Sequence, residues 1–431
     1  MTARNLAPRT VALADLDFTR IVRPGDTVLW TQGVGEPLPL MERLLAQRRD
    51  IGAFSVLYGG AGYADTVRPE HADVISFRTL GGVGSNRVLC AAGVADILPC
   101  HLSELPRLIA SGVLGVDVVI AQFSENEQGA LSFGPASGYV GTAIRSARTV
   151  VAEINDQAPW THSRHQVDVG RVDIAVRTSR PLVEVASRAP SALDEVIAAH
   201  VVDLVADGAT VQIGIGAVPN AVAELLAGRR GLGLHSGVVG DAVVDLIRSG
   251  AVTNAAKPVD RGVSVTGGLV GTRRLFDFAH GNDRLRVEPV TYTHSQEILA
   301  RLPRFTAINS ALEVDLTGQV AAEVAGSSYV GTVGGQVDFV RGALASDGGR
   351  SVIALPSRTL SSGRPRIVPR IASGVVTTAR AEADVIVTEY GVAELRGRAI
   401  AERVRRMIAI AHPEDREALD RQARDQIAGY R

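Results

Sequence analysis

The sequence predicts an α/β protein made of two tandem open-sheet domains, residues 1–185 and 186–431. Three observations carry this. Short runs rich in Val and Ile, such as residues 116–123 (VDVVIAQF) and 210–213 (TVQI), have the near-continuous hydrophobicity of parallel strands covered on both faces. Segments with helical spacing alternate with them. Several runs end in glycine turns, where a strand hands the chain to a helix.

In the first domain, residues 26–32 (DTVLWTQ) read as a strand that ends in Gly33-Val34-Gly35-Glu36-Pro37. Residues 38–47 follow with helical spacing of Leu and Met. Residues 53–58 form a second strand, closed by Gly59-Gly60-Ala61-Gly62, and 74–77, 116–123 and 150–154 continue the series. A Pro- and Ser-containing stretch at 176–193 marks the boundary. The second domain opens with an amphipathic stretch, 192–206, and the strand 210–213. Gly214 and Gly216 then let the backbone approach a ligand, and Pro219 sits at a helix start. A strand, a glycine turn and a helix N-terminus make an anion cradle, because unpaired N–H groups and the helix dipole both face the turn. The next strand, 232–234, delivers His235-Ser236-Gly237 to the same edge if the sheet is parallel. The pattern strand, Gly-x-Gly, Pro occurs in both halves and hints that they are related. Further strands are expected at 264–269, 288–293, 305–309, 351–355, 375–378 and 385–389, and closing helices at 394–411 and 413–427. The arginines at 396, 398, 403, 405 and 406 read as a solvated helix face.

Bulk composition excludes several classes. A formal net charge of −1 draws neither nucleic acid nor an acidic membrane surface. Two cysteines, Cys90 and Cys100, make neither a disulfide framework nor a Cys-based zinc site. The nine histidines are scattered, and His162 with His165 is too little for a metal site, so no metal is expected. There is no P-loop lysine motif, no signal-peptide pattern and no apolar run of about 18 residues, so a cytoplasmic protein without a membrane span is expected.

Five segments carry a resemblance: 213–219 (IGIGAVP), 309–319 (NSALEVDLTGQ), 333–342 (VGGQVDFVRG), 387–397 (VTEYGVAELRG) and 410–413 (IAHP). They are similar to the acetyl-CoA hydrolase/transferase family, the branch of family I CoA-transferases that holds the 4-hydroxybutyrate and butyrate:acetate enzymes. The likeness spans most of the chain and is strongest from 200 to 415. It implies two CoA-transferase-like domains with the active site between them, an acyl-CoA substrate and a small acceptor, and a homo-oligomer. It further implies covalent catalysis, in which a glutamate attacks the thioester and passes through an anhydride to a glutamyl-CoA thioester. By the same resemblance, Ile213, Gly214, Ile215, Gly216 and Ala217 bind CoA. Gly334, Gly335 and Gln336 line the thioester site, where N–H groups stabilise an oxyanion. Gly33 and Gly35, in the similar turn of the first domain, are also expected to bind CoA or substrate.

The chain departs from the family at the decisive position. Where the family places its nucleophilic glutamate, this sequence has Gly237. A second departure is Gly138, where the family tends to carry Asp before Tyr139. Losing a nucleophile typically removes on the order of 10³ to 10⁶ in rate. The expected function is therefore an acyl-CoA enzyme in which water or another acceptor attacks the thioester directly, entering the space vacated at Gly237. His235, Ser236 as a relay, and Glu36 are the candidate catalytic groups. Three alternatives stand beside it: ordinary CoA transfer by another glutamate, C–C cleavage or cyclisation of a CoA ester, and a non-catalytic acyl-CoA binder or partner subunit. Glu313, Glu323 and Glu389 lie in segments shared with the family and are expected to be structural. Gly237→Glu is expected to raise CoA transfer.

Overall fold

The computed structural model of the chain describes residues 8–428 and 430. The chain forms two compact units. One runs to Ala186 and takes in Val265–Thr293; the other is Ser187–Ser264 together with the chain from His294 onward. A single cut at 185/186 does not provide for this return, in which residues 265–293 group with the first unit.

The first unit is built on a parallel sheet. Its strands lie in the order Arg9–Thr10, Ile174–Thr178, Thr149–Asn155, Val118–Glu125, Thr27–Trp30, Phe54–Leu57, Ile75–Thr79 and Ala95–Ile97. Leu131–Ser132 pairs antiparallel with Val118–Glu125. The apolar run at 116–123 is buried at every position from Val118 to Phe123, as expected of a central parallel strand. Separate cores lie on the two faces of the sheet, one around Leu29, Val119 and Phe123 and one around Val28, Trp30 and Phe77. The helix Leu38–Ile51 buries Leu40, Met41, Leu44 and Leu45 against the second, following their helical spacing.

In the second unit the strands Gly233–Ser236, Thr210–Ile213, Thr306–Asn309, Arg350–Ala354 and Val385–Thr388 pair in parallel in that order. Gly391–Glu394 closes the edge in the opposite direction. Thr210–Ile213 has its sequence successor on one side and a strand from nearly a hundred residues later on the other. The connections therefore diverge at its C-terminal end, which is where open α/β sheets bind ligands.

Three sequence expectations are corrected. Residues 288–293 are not a strand: Leu285–Val287 is, and Val290–Thr293 forms a helical turn. Pro289 accounts for it, having no N–H for a ladder, while its carbonyl accepts from Tyr292 and Thr293. Residues 375–378 do not join the main sheet; Thr377 and Thr378 bond the backbone of Val320 instead. The closing helix begins only at Ile400, after the strand Gly391–Glu394 and a turn at Gly397 with φ +73°.

Candidate active site

The C-terminal edge of the second sheet carries the predicted ligand turn. Thr210–Ile213 is fully buried, and the chain then emerges at Gly214. Gly216 has φ +121° and ψ 180°, a backbone state that only glycine adopts comfortably, and it forms the N-cap of the helix Ala217–Leu226. No side chain caps that helix, so its first N–H groups are left to face whatever occupies the turn. The two Gly-x-Gly turns differ in detail. In the first unit it is Gly33, the leading glycine, that has positive φ (+67°), and its N–H donates to Ala61 O. Gly35 is packed tightly, with Ala136 Cβ 3.4 Å from where its own Cβ would be.

Beside Ile213, the strand Gly233–Ser236 ends in Gly237. His235 and Ser236 are wholly buried. The Ser236 hydroxyl lies 2.9 Å from Ile213 O and 2.8 Å from Val238 O. Its one proton is thus held between backbone carbonyls, so it staples two strand ends together and is not placed as a proton relay. Lys257, also buried, donates its Nζ to Leu234 O and Val263 O behind the same strand.

The position just above Gly237 is crowded. A Cβ at that position would stand 3.1 Å from His294 Cε1 and Nε2 and 3.1 Å from Phe339 Cε2. At Gly335 a Cβ would come within 2.3 Å of His294 Nε2, an overlap. The imidazole therefore overlaps the side-chain position of Gly335 and crowds that of Gly237, so the space over Gly237 is narrower than the loss of a side chain alone would leave. Phe339 packs against the imidazole with the rings tilted by 45°, at 4.6 Å between centroids. His294 sits in the turn between Val290–Thr293 and the short helix Gln296–Ala300, whose N-cap is Ser295. That short helix is drawn against the helix Gln336–Ala345 because Gly342 lets Leu299 approach: a Cβ at 342 would lie 2.6 Å from Leu299 Cβ. Burial pushes the His294 pKa down to about 3, so the ring is neutral. Sequence reasoning missed His294 and Phe339 at this spot, since neither lies near Gly237 along the chain.

Gly334 turns with φ +53°, and Gly335 caps the helix Gln336–Ala345 with no side-chain bond. Gln336 Nε2 donates to Thr378 Oγ1 at 3.1 Å, which ties this corner to the 377–378 segment. On the neighbouring strand ends, Asn309 Nδ2 donates to Gln212 Oε1 at 3.1 Å.

The candidate carboxylates are committed elsewhere. Glu36 belongs to the first unit. Its Oε1 accepts from Tyr58 Oη at 2.6 Å and its Oε2 from the Tyr63 and Ala64 N–H groups at 2.9 and 3.0 Å. Burial raises its pKa against these bonds. Such a carboxylate ties loops of the first unit together, with three donors on its two oxygens. Glu389 accepts from Ser357 N and Oγ, Glu323 accepts from Thr377 Oγ1, and burial raises the pKa of Glu313.

Among the described residues no helix is long and apolar enough to cross a membrane, and no group of three or more His, Cys, Asp or Glu could hold a metal ion. Sequence profiles of the acetyl-CoA hydrolase/transferase N-terminal and C-terminal domains match residues 14–203 and 271–423. The 4-hydroxybutyrate coenzyme A transferase of Clostridium kluyveri is 36% identical over 395 residues, 91% of this chain and 92% of that protein. Butyryl-CoA:acetate CoA-transferase of Anaerostipes caccae is 34% identical over 420 residues, 94% of each. The crystal structure of RipA from Yersinia pestis has a TM-score of 0.90 at 33% identity, covering 97% of both chains. Two matching domain profiles, relatives of full length and a shared fold make this chain a member of the acetyl-CoA hydrolase/transferase family.

Proposed function

We propose that the protein binds an acyl-CoA thioester at the Ile213–Ala217 turn, and that water or another small acceptor attacks the bound ester directly, with no glutamyl-CoA intermediate. Family membership and the uncapped helix start at Ala217 support the binding half of this reading. One observation carries the second half. Position 237, where the family resemblance calls for a glutamate, is a glycine, and the groups nearest its absent Cβ, at 3.1 Å, are two rings, His294 and Phe339. Neither forms an acyl anhydride.

Calorimetry with acetyl-CoA and longer acyl-CoA esters tests binding, with dissociation constants in the micromolar range expected. Thiol release without an added acid tests direct attack, and the protein mass after acyl-CoA and borohydride is expected to be unchanged. A reduced glutamate in the mass spectrum would restore ordinary CoA transfer. Binding without thiol release would make the protein an acyl-CoA binder.

A further inference from the structure

We propose that the nucleotide end of CoA lies in a separate cavity of the second unit, with its phosphates on Arg364 and Arg366. The proposal rests on the acyl-CoA binding reading and says where the rest of that ligand goes.

The cavity has a volume of about 570 Å³, and every residue that lines it belongs to the second unit. It starts from the sheet edge that carries the Ile213–Ala217 turn. Ile213 pairs with Ile308, and Ile308 with Val352, so the C-terminal ends of three parallel strands lie side by side, about 5 Å from one to the next. The first strand leads into the glycine turn. The chain leaving the second reaches the cavity wall at Leu312, and the chain leaving the third reaches it at Thr359. The strand Val324–Ala325 adds to the wall, and its chain runs on to Gly334 and Gly335. A ligand laid along this edge meets the turn and the cavity together.

The charges on the wall select the ligand. Its two carboxylates are engaged within the protein. Arg358 donates to Asp415 from Nε at 2.9 Å and from Nη2 at 2.6 Å. Glu313 accepts from the Ala372 and Ser373 N–H groups, and burial raises its pKa. Arg364 and Arg366 are in a different position, since among the described residues neither guanidinium forms an ion pair. Arg364 bonds Thr359 Oγ1 through its backbone N–H, and Arg366 makes one long bond, Nη1 to Ala311 O at 3.5 Å. Burial lowers the Arg366 pKa, and the charge of Glu389 offsets this only in part. A half-buried cation without a counter-ion is costly until a ligand supplies the anion. Two guanidinium forks match phosphate oxygens, which they bind bidentately. Leu312, Ile367 and Leu419 give the cavity an apolar side for a flat base, and its volume is that of a small-molecule site. CoA carries its phosphates and adenine at the end opposite the thioester, so one molecule serves both places.

Calorimetry tests this with S-ethyl-CoA, a thioether that water does not cleave, and with S-ethylpantetheine, which lacks the nucleotide. Wild type is expected to bind S-ethyl-CoA about tenfold or more tightly than S-ethylpantetheine. Arg364→Ala and Arg366→Ala are each expected to weaken S-ethyl-CoA by roughly 10 to 100-fold, with S-ethylpantetheine within about threefold of wild type. 3′,5′-ADP, the nucleotide alone, is expected to compete with S-ethyl-CoA in wild type and to bind about tenfold more weakly in both variants. Wild-type affinity for S-ethyl-CoA in both variants would overturn the proposal. So would an equal loss for S-ethyl-CoA and S-ethylpantetheine, which would make the arginines structural. So would binding of 3′,5′-ADP beside S-ethyl-CoA without competition, which would give the cavity a nucleotide of its own. If Arg366→Ala does not fold, the exposed Arg364 decides through Arg364→Ala. Wild type that binds neither S-ethyl-CoA nor S-ethylpantetheine would remove the acyl-CoA reading itself, an outcome distinct from S-ethyl-CoA binding that ignores both arginines.

Discussion

His294 crowds Gly237: the Cβ that glycine lacks would sit 3.1 Å from the imidazole Nε2. This contact is tighter than ordinary van der Waals packing, and the remaining atoms of a longer side chain would have to pass the ring and Phe339.

Gly237→Glu alone is therefore expected to gain no CoA transfer and to destabilise the fold by about 1–3 kcal/mol through overpacking. Gly237→Glu with His294→Ala makes room for the carboxylate, and that pair is expected to exceed the single variant in succinyl- or acetyl-CoA exchange. A coupled assay together with urea unfolding checks both statements. Transfer by Gly237→Glu alone would show that the two rings move aside.

Stability should depend on pH through His294. Its folded pKa of about 3 lies below an unfolded value near 6.5, so the unfolded chain binds a proton first as pH falls. The stability due to the neutral ring is fully present above pH 6.5 and is lost as pH falls toward 3. Between pH 7.5 and 4.5 the loss is expected to be roughly 2–3 kcal/mol in wild type beyond that in His294→Gln, where the titrating group is gone. Urea midpoints for the two proteins at both pH values measure it.

Gly214 and Gly335 should behave differently when a methyl is added. Gly214 has neither a left-handed backbone nor any atom within 4 Å of its absent Cβ. Gly214→Ala is expected to leave stability unchanged or raise it by up to about 1 kcal/mol. It is expected to weaken acyl-CoA binding tenfold or more, since the methyl would stand where the ligand approaches. Gly335→Ala strikes His294 Nε2 and is expected to cost about 1–3 kcal/mol. Calorimetry and thermal unfolding separate the two. Unaltered affinity in Gly214→Ala would move the CoA site away from this turn.

Glu36→Ala leaves Tyr58 Oη and two backbone N–H groups without their acceptor. The expected loss is roughly 2–4 kcal/mol of stability. Thiol release per folded molecule is expected to stay at the wild-type level, and a large fall in kcat at full folding would return Glu36 to the chemistry.

The backbone architecture was largely legible in the sequence. Runs such as 116–123 and 210–213 have one physical reading, a strand buried on both faces, and glycines at their ends mark where the sheet opens. The strand at 288–293 was misread because Val290, Thr291 and Thr293 are β-branched, and a local signal of that kind yields to Pro289 just before them. The occupant of the space over Gly237 was not legible at all. His294 follows Gly237 by more than fifty residues and belongs to no motif. Its position depends on Ser295 capping a short helix and on Gly342 admitting Leu299, a tertiary relationship that a linear pattern does not encode. Likewise the bonding partners of Ser236 and Glu36 depend on tertiary contacts that the sequence does not display.

The packing of His294 against the side-chain positions of Gly237 and Gly335 links the three positions in descent. An acidic residue at 237 would meet this crowding as long as the ring stays where it is, so substitutions at 237 and 294 are expected to be coupled.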